Sequence, residues 1–464
     1  MKMNGRKLLV AVAMATMILS GQRISAQSLS DNGIFYHSFT SPWSSSLNPA
    51  LFPESANWYL SILKTNGEYT MPFTFNELNL RHDSIRNVNI LNVTDLMKML
   101  SERKCRFSST GEVNLLGAGF SIGERLHFTI DLGIRTHSIM TLPVEFTNLF
   151  TQGNLNENRH LELGTPLLFS SMSYAQGSIG VAYQPSDSPV TLGARVNIMD
   201  GLLLASVDKL TVDVLTAPDT SNITLLLDYM VRSAGLAHLH VDSANNLSFV
   251  TSNTLPDNLG FTFDIGAKFT LSNFTVSASL LDIGPGITWN GNSTTLTPKE
   301  SPVKIDFDGF DLNQKLDTSF FRHLKDSIFQ QLKYQSDTTS FRYSPPTKIY
   351  VGLSYNILNT IRVGYLFHGQ FERGLFNPNG YGLFLFNNTI SAHFSLFDWL
   401  ELGIANSLSC DGEKLHLFNP GFSISLNPGR RFQLYAAVDY TNGFSLKNMS
   451  AAHIYFGINI LGHK

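Results

Sequence analysis

Val190-Thr-Leu-Gly-Ala-Arg-Val-Asn-Ile198 alternates at every step. Val190, Leu192, Ala194, Val196 and Ile198 fall on one side; Thr191, Gly193, Arg195 and Asn197 fall on the other. A period of two with one wholly apolar face is the signature of a β-strand. Leu126-His-Phe-Thr-Ile-Asp-Leu-Gly-Ile134 and Phe261-Thr-Phe-Asp-Ile-Gly-Ala-Lys-Phe269 repeat it, as do runs at 274–280, 349–357, 361–367, 390–396, 400–404, 432–440 and 454–460. In a soluble sandwich the apolar face of each strand meets a second sheet. Here nearly every strand carries the same pattern, and many approach the roughly 10 residues that a tilted membrane strand needs. The predicted fold is therefore all-β: a transmembrane antiparallel up-and-down β-barrel.

The connections agree. Tight turns fall at 123–125, 185–189, 272–273, 358–360, 397–398 and 427–431, and they alternate with longer polar connections near 76–109, 139–168, 201–257 and 285–345. Short turns at one end and long loops at the other mark an outer-membrane barrel. The runs at 57–75, 110–122, 126–138, 169–184, 190–200, 258–271, 274–284, 346–357, 361–371, 381–396, 399–409, 415–426, 432–440 and 452–461 give about fourteen strands, an even number as such barrels require. Even parity places both termini at the periplasmic end, where the tight turns also lie.

Composition points the same way. Of 464 residues 15% are charged, 43% hydrophobic and 11% aromatic, with 34 Phe; soluble chains carry about 25% charged residues. Mean hydropathy is +0.01, which excludes a helical membrane protein. A barrel reconciles few charges with neutral hydropathy, because each strand shows lipid one face and a wet lumen the other. The net charge of −3 gives no argument for a nucleic-acid partner.

The N-terminus reads as a signal peptide over 1–26: Lys2, Arg6 and Lys7, then an apolar run from Leu8 to Leu19 too short to span a bilayer, then a cut after Ala26. Residues 57–464 form the barrel, placed in the cell outer membrane with its lipid as the first partner, since a secreted chain without a spanning helix crosses a membrane only as a closed barrel. The two cysteines, Cys105 and Cys410, lie too far apart to give a spacing signal, and two free thiols are expected.

The strand parity assigns faces. Phe128, Ile130, Leu192, Val196, Phe263, Ile265, Val363 and Ile458 should meet lipid. His127, Asp131, Arg135, Arg195, Asp264, Lys268, Arg362, Glu401 and Asp439 should face the lumen. Charges of both signs should pair across that lumen, since lone charges in a narrow pore are costly. No ring of one sign, the mark of an ion-selective filter, is legible.

Residues 27–56 do not alternate. Pro42, Pro49 and Pro53 forbid a regular element. Trp43, Leu47 and Phe52 need burial, and the periplasmic opening of the barrel is the natural place, making the segment a plug. Asn48-Pro49-Ala50, preceded by Ser44-Ser45-Ser46-Leu47 and followed by about fourteen strands, resembles the long-chain fatty-acid transporter superfamily (FadL-like). It is also similar to the barrels of the type IX secretion system (PorV-like). The resemblance implies that this segment is a hatch folded into the barrel.

The long loops carry helical spacing. Ser221-Asn222 caps a run in which Ile223, Leu226, Leu227 and Met230 share one face; Asp317-Thr318 precedes Phe321, Leu324, Ile328 and Leu332; Thr94 precedes 95–104; Pro143 precedes Phe146, Leu149 and Phe150. These stripes either pack as a cap over the mouth or receive an apolar ligand or partner.

Catalytic motifs fail on context, so no enzyme is expected. Gly119-Phe-Ser121-Ile-Gly123 has the letters of a nucleophile elbow, but a hairpin follows where a helix is required. Asp306-Phe-Asp308-Gly309-Phe-Asp311-Leu-Asn313 lacks the EF-hand spacing and closing Glu. His238 and His240 share a strand face without a legible third ligand, so neither metal nor other cofactor is expected. Two functions remain: passage of hydrophobic small molecules, or a non-transporting barrel that docks secretion-system or surface-assembly proteins.

Overall fold

The computed structural model describes residues 27–28, 33–54, 56–74, 76–77, 81–83, 88–90, 96, 105–123, 125–142, 159–161, 169–186, 188–216, 223–242, 247–255, 257–307, 331, 334–372, 384–411, 414–416, 418–439 and 449–463. Fourteen antiparallel strands make the wall: β1 (Ala56–Thr70), β2 (Cys105–Ile122), β3 (Leu126–Leu142), β4 (Phe169–Tyr183), β5 (Val190–Thr216), β6 (Leu259–Leu271), β7 (Phe274–Trp289), β8 (Thr347–Leu358), β9 (Ile361–Phe371), β10 (Phe384–Phe397), β11 (Leu400–Asp411), β12 (Pro420–Leu426), β13 (Phe432–Asp439) and β14 (Ala451–His463). Each pairs with its neighbours in sequence. β14 then closes on β1, from Ala56 opposite His463 to Thr70 opposite Ala451. The strand count and the closed antiparallel order are as the sequence predicts. Closure leaves no edge strand in the wall among the described residues, as a sheet in lipid requires.

The turns suit their residues. Gly123 (φ 65°), Ser272 (φ 53°) and Gly429 (φ 66°) supply the positive φ that tight antiparallel turns demand. Outward positions are apolar and open: Ile179, Leu192 and Ile265 are 63%, 57% and 53% exposed. Near the tight turns the outward side chains become aromatic, with Trp58, Tyr183 and Tyr355 exposed, Phe120 stacked on Phe128, and Phe397 stacked on Trp399. A continuous apolar belt edged by aromatics is a lipid-facing surface. Phe128, Ile130, Leu192, Val196, Phe263, Ile265, Val363 and Ile458 all carry the outward parity.

Beyond the belt β5 continues to Thr216 and pairs with a strand at Ile223–Gly235. That strand pairs in turn with Thr294–Pro298 and Val303–Phe307, and Thr294–Pro298 pairs with Tyr334–Asp337. A hairpin, Ala237–Val241 with Leu247–Thr251, completes this outer sheet region. The helix expected from Ser221 is therefore wrong. Leu225, Leu227, Tyr229 and Val231 alternate onto one face and pack with Leu296, Val303 and Ile305. Leu226 and Met230 fall on the opposite face, so the Ile223/Leu226/Leu227/Met230 stripe is split. The run satisfies both periods, and the free ladder of β5 beside it decides for strand. The Phe321, Leu324, Ile328 and Leu332 stripe, the run at Pro143 and, apart from Leu96, the run at Thr94 lie outside the described residues. So do the signal segment and the side chains of Cys105 and Cys410.

Candidate functional site

The lumen is occupied by the chain's own N-terminal segment. Gln27–Ser28 pairs parallel with Leu385 and Phe386 on β10, at the loop end of the barrel. The expected placement of both termini at the tight-turn end thus holds for His463 but not for Gln27. Residues 33–54 lie inside the wall, in the half nearer the tight turns. Ile34, Phe35, Tyr36, Trp43, Leu47 and Ala50 are buried, and all but Ala50 form one cluster with inward residues such as Leu281, Tyr350, Tyr435 and Tyr455. Phe35 meets Tyr435 and Tyr455 edge-on at 5.3 and 5.5 Å. Tyr36 stacks on Tyr350, and burial raises its phenol pKa.

Contrary to the expectation of no regular element, a single helical turn, α1 (Trp43–Leu47), crosses this space; Pro42 sits at its N-cap and Pro49 beyond its end, where proline is tolerated. Its last carbonyls have no helical partners and are met by the wall. Arg195 donates Nη1 to Ser45 O (3.1 Å) and Nη2 to Ser46 O (2.8 Å), while its Nε donates to Asp264 Oδ2 at 2.5 Å. Ser279 Oγ donates to Leu47 O (2.6 Å), and Lys64 Nζ donates to Ser46 Oγ (2.6 Å) and Asp131 Oδ1 (3.1 Å). Lys64 also lies over the Trp43 ring. Asn48 donates Nδ2 to Ala278 O and accepts from Ala50 N at Oδ1. Phe52 stacks on His127 at 4.6 Å.

The earlier part of the segment is held by charge. Glu401 accepts from Phe39 N, Thr40 N and Thr40 Oγ1, and its Oε1 lies 3.1 Å from His393 Nδ1. Arg362 donates Nη1 to His37 O and Nη2 to Glu54, and lies over Phe39. Four inward glycines make the seat. A Cβ on Gly193 would sit 2.3 Å from the Pro49 carbonyl carbon, on Gly266 2.1 Å from Asn48 Oδ1, on Gly352 2.4 Å from Tyr36, and on Gly364 2.2 Å from His37. Sequence parity marks these glycines as inward; only the fold shows what they admit. Lys64, Glu112, His37 and His393 carry no local signal of these roles, and for the glycines parity gives the face but not the occupant.

Toward the loops the lumen keeps a small polar cavity of about 50 Å³, lined by Glu68, Glu112, Arg135, Tyr174, Asp282 and Lys348 among others. Arg135 lies 3.5 Å from Glu112 and 3.8 Å from Asp282. An apolar cluster of Met172, Met199, Leu204, Ile287, Trp289 and Tyr343 packs at the loop end. Of the remaining predicted lumen residues, His127 and Lys268 are half-buried on inward positions and Asp439 is wholly buried. Ser121 Oγ lies 2.7 Å from His127 Nδ1 across the β2–β3 hairpin, not at a strand-to-helix elbow.

Beside the cavity the wall is irregular. β7 pairs with β8 from Phe274 to Leu281, then pairs again only at Ile287–Trp289, with a short strand at Phe341–Tyr343. From Phe261 to Ile265 β6 takes four steps while β7 takes six, from Gly286 to Leu280, so β7 carries two extra residues. Asp282, Gly284 and Gly286 have positive φ. Opposite them Pro345 and Pro346 have no N–H to donate. Side chains bridge the break instead: Thr347 Oγ1 donates to Asp282 O and Ser344 Oγ to Pro285 O. The break is level with the lipid-facing Phe261 and Phe263.

These features define a closed membrane β-barrel whose lumen holds its own N-terminal segment. The chain belongs to a family of unknown function (DUF5723), whose model matches residues 49–439. No curated protein sequence matches it. Among solved structures, the Pseudomonas putida toluene transporter TodX is similar over 94% of this chain and 95% of its own, at 10% identity and a TM-score of 0.40. A TodX mutant described as a monoaromatic hydrocarbon channel is similar over 95% and 96%, at 10% identity and 0.42. The CymD monoaromatic hydrocarbon channel is similar over 95% and 99%, at 10% identity and 0.30. At these values nothing about cargo passes from them to this chain.

Proposed function

We propose that this protein is an outer-membrane barrel for the passage of hydrophobic small molecules, with residues 1–26 as a cleaved signal and 33–54 as a hatch. The observation that carries the reading is the break between β7 and β8. It lies beside the luminal cavity and at the level of the lipid-facing belt, and parting the two side-chain bridges there would open a route for an apolar molecule between the lumen and the bilayer. The seated segment meanwhile fills the tight-turn half and blocks a straight aqueous path. The same arrangement explains why a lumen lined by charges of both signs suits apolar cargo: the polar axis is not its road.

Two variants test this in asymmetric vesicles with a lipopolysaccharide outer leaflet. Deleting Gly284 and Pro285 takes the two extra residues out of β7. Uptake of a fluorescent hydrocarbon should fall while the barrel still migrates as a folded species. Unchanged uptake refutes the wall route. Deleting residues 28–52 should leave an insertable barrel that leaks small polar solutes; a leak equal to that of the intact protein refutes the hatch.

A further inference from the structure

The hatch carries a histidine in a setting that rejects charge. His37 is 6% exposed. Its Nε2 lies 3.2 Å from Tyr365 O, so the neutral ring is held as the Nε2–H tautomer. The ring lies against the wall at Gly364 and Gly352, where a Cβ would meet it at 2.2 and 3.1 Å. Every neighbouring charge that bears on it is placed badly for a cation. Arg362 on β9 donates to the carbonyl of His37 itself. His393 on β10 faces it from the next strand. The two nearby carboxylates are already engaged, Glu401 on β11 by Thr40, Phe39 and His393, and Glu54 by Arg362.

We infer that the hatch is released by acid, with protonation of His37 as the trigger. This rests on the hatch reading above. Burial first, then His393 and Arg362, depress the pKa of His37 from 6.5 to about 3 while the segment is seated. Once the segment leaves the lumen, the ring regains water and an ordinary pKa. A depressed histidine favours the seated state fully above about pH 6.5, and the preference is lost as the pH falls from 6.5 toward 3. Seating should weaken roughly tenfold at pH 5.5 and roughly a hundredfold at pH 4.5, relative to pH 7.5.

The assay is leak of a small polar solute from vesicles holding the full chain, read from pH 7.5 to 4.5. The intact protein should leak more as the pH falls through 6.5. His37→Gln keeps an N–H for Tyr365 O but cannot charge, and its leak should stay flat; His37→Asn serves if the Gln variant does not fold. A leak in the intact protein that ignores pH overturns the inference, as does a His37→Gln leak that rises like that of the intact protein. The 28–52 deletion separates the two claims. If it leaks at every pH while the intact protein never does, the hatch stands and its acid release falls. If it does not leak at all, the hatch reading has failed first.

Discussion

Gly193→Val should unseat residues 33–54 without opening the barrel. Gly193 sits on β5 between Ala182 and Gly266, tied to both neighbouring strands by the ladder. The wall there cannot retreat. A Cβ would lie 2.3 Å from the Pro49 carbonyl carbon, 2.4 Å from Ala50 N and 2.5 Å from Pro49 O. These are backbone atoms, which cannot rotate aside like a side chain, so the Asn48-Pro49-Ala50 turn must lift. Overpacking of this kind costs typically about 1–3 kcal/mol, a shift of roughly 5- to 150-fold in a two-state equilibrium. Gly177→Val is the matched control. Gly177 lies opposite Leu132 and Ile198, both exposed on the lipid face, and a Cβ there meets nothing within 4 Å. Both variants should keep the heat-modifiable gel migration of a folded barrel. Only Gly193→Val should raise solute leak from vesicles. If it stays as tight as Gly177→Val, the Asn-Pro-Ala turn is not seated against β5 as described.

Two further substitutions test the wall and its buried charges. Ile265→Arg puts a charge on an outward position that is 53% exposed to lipid, and near the midplane it should cost about 2–4 kcal/mol in urea unfolding from vesicles; a loss below 1 kcal/mol would sink the face assignment. Arg195→Ala strands Asp264 and two helix-end carbonyls. It should cost about 3–5 kcal/mol, with Asp264→Asn in the same chain restoring part of the loss. No loss in the single variant would mean that the pair is already solvated.

The barrel was legible because its physics is local. A strand between lipid and a wet lumen must alternate, so Val190–Ile198 announces its own faces, and turn residues such as Gly123 and Ser272 mark the ends. The one outer run that departs from its helical spacing, at Ile223–Gly235, does so for the opposite reason. Leu225 to Val231 fits two periods equally, and the choice fell to β5, which continues past the belt and offers its hydrogen bonds. The burial of Trp43 and Phe52 could be argued from their size, but the seat could not.

By itself, then, the sequence determined a closed fourteen-stranded barrel, which face of each strand meets lipid, and that residues 33–54 are no strand of the wall. Tertiary structure alone decided what those inward faces hold. Arg195 meets Ser45 and Ser46, Glu401 meets Thr40, and Gly364 makes room for His37, across separations of 149, 361 and more than 300 residues. Alternation is enforced at each residue by the solvent on either side of the wall. A contact across the lumen exists only once the last strand has paired with the first, and no local pattern records which residues closure will bring together.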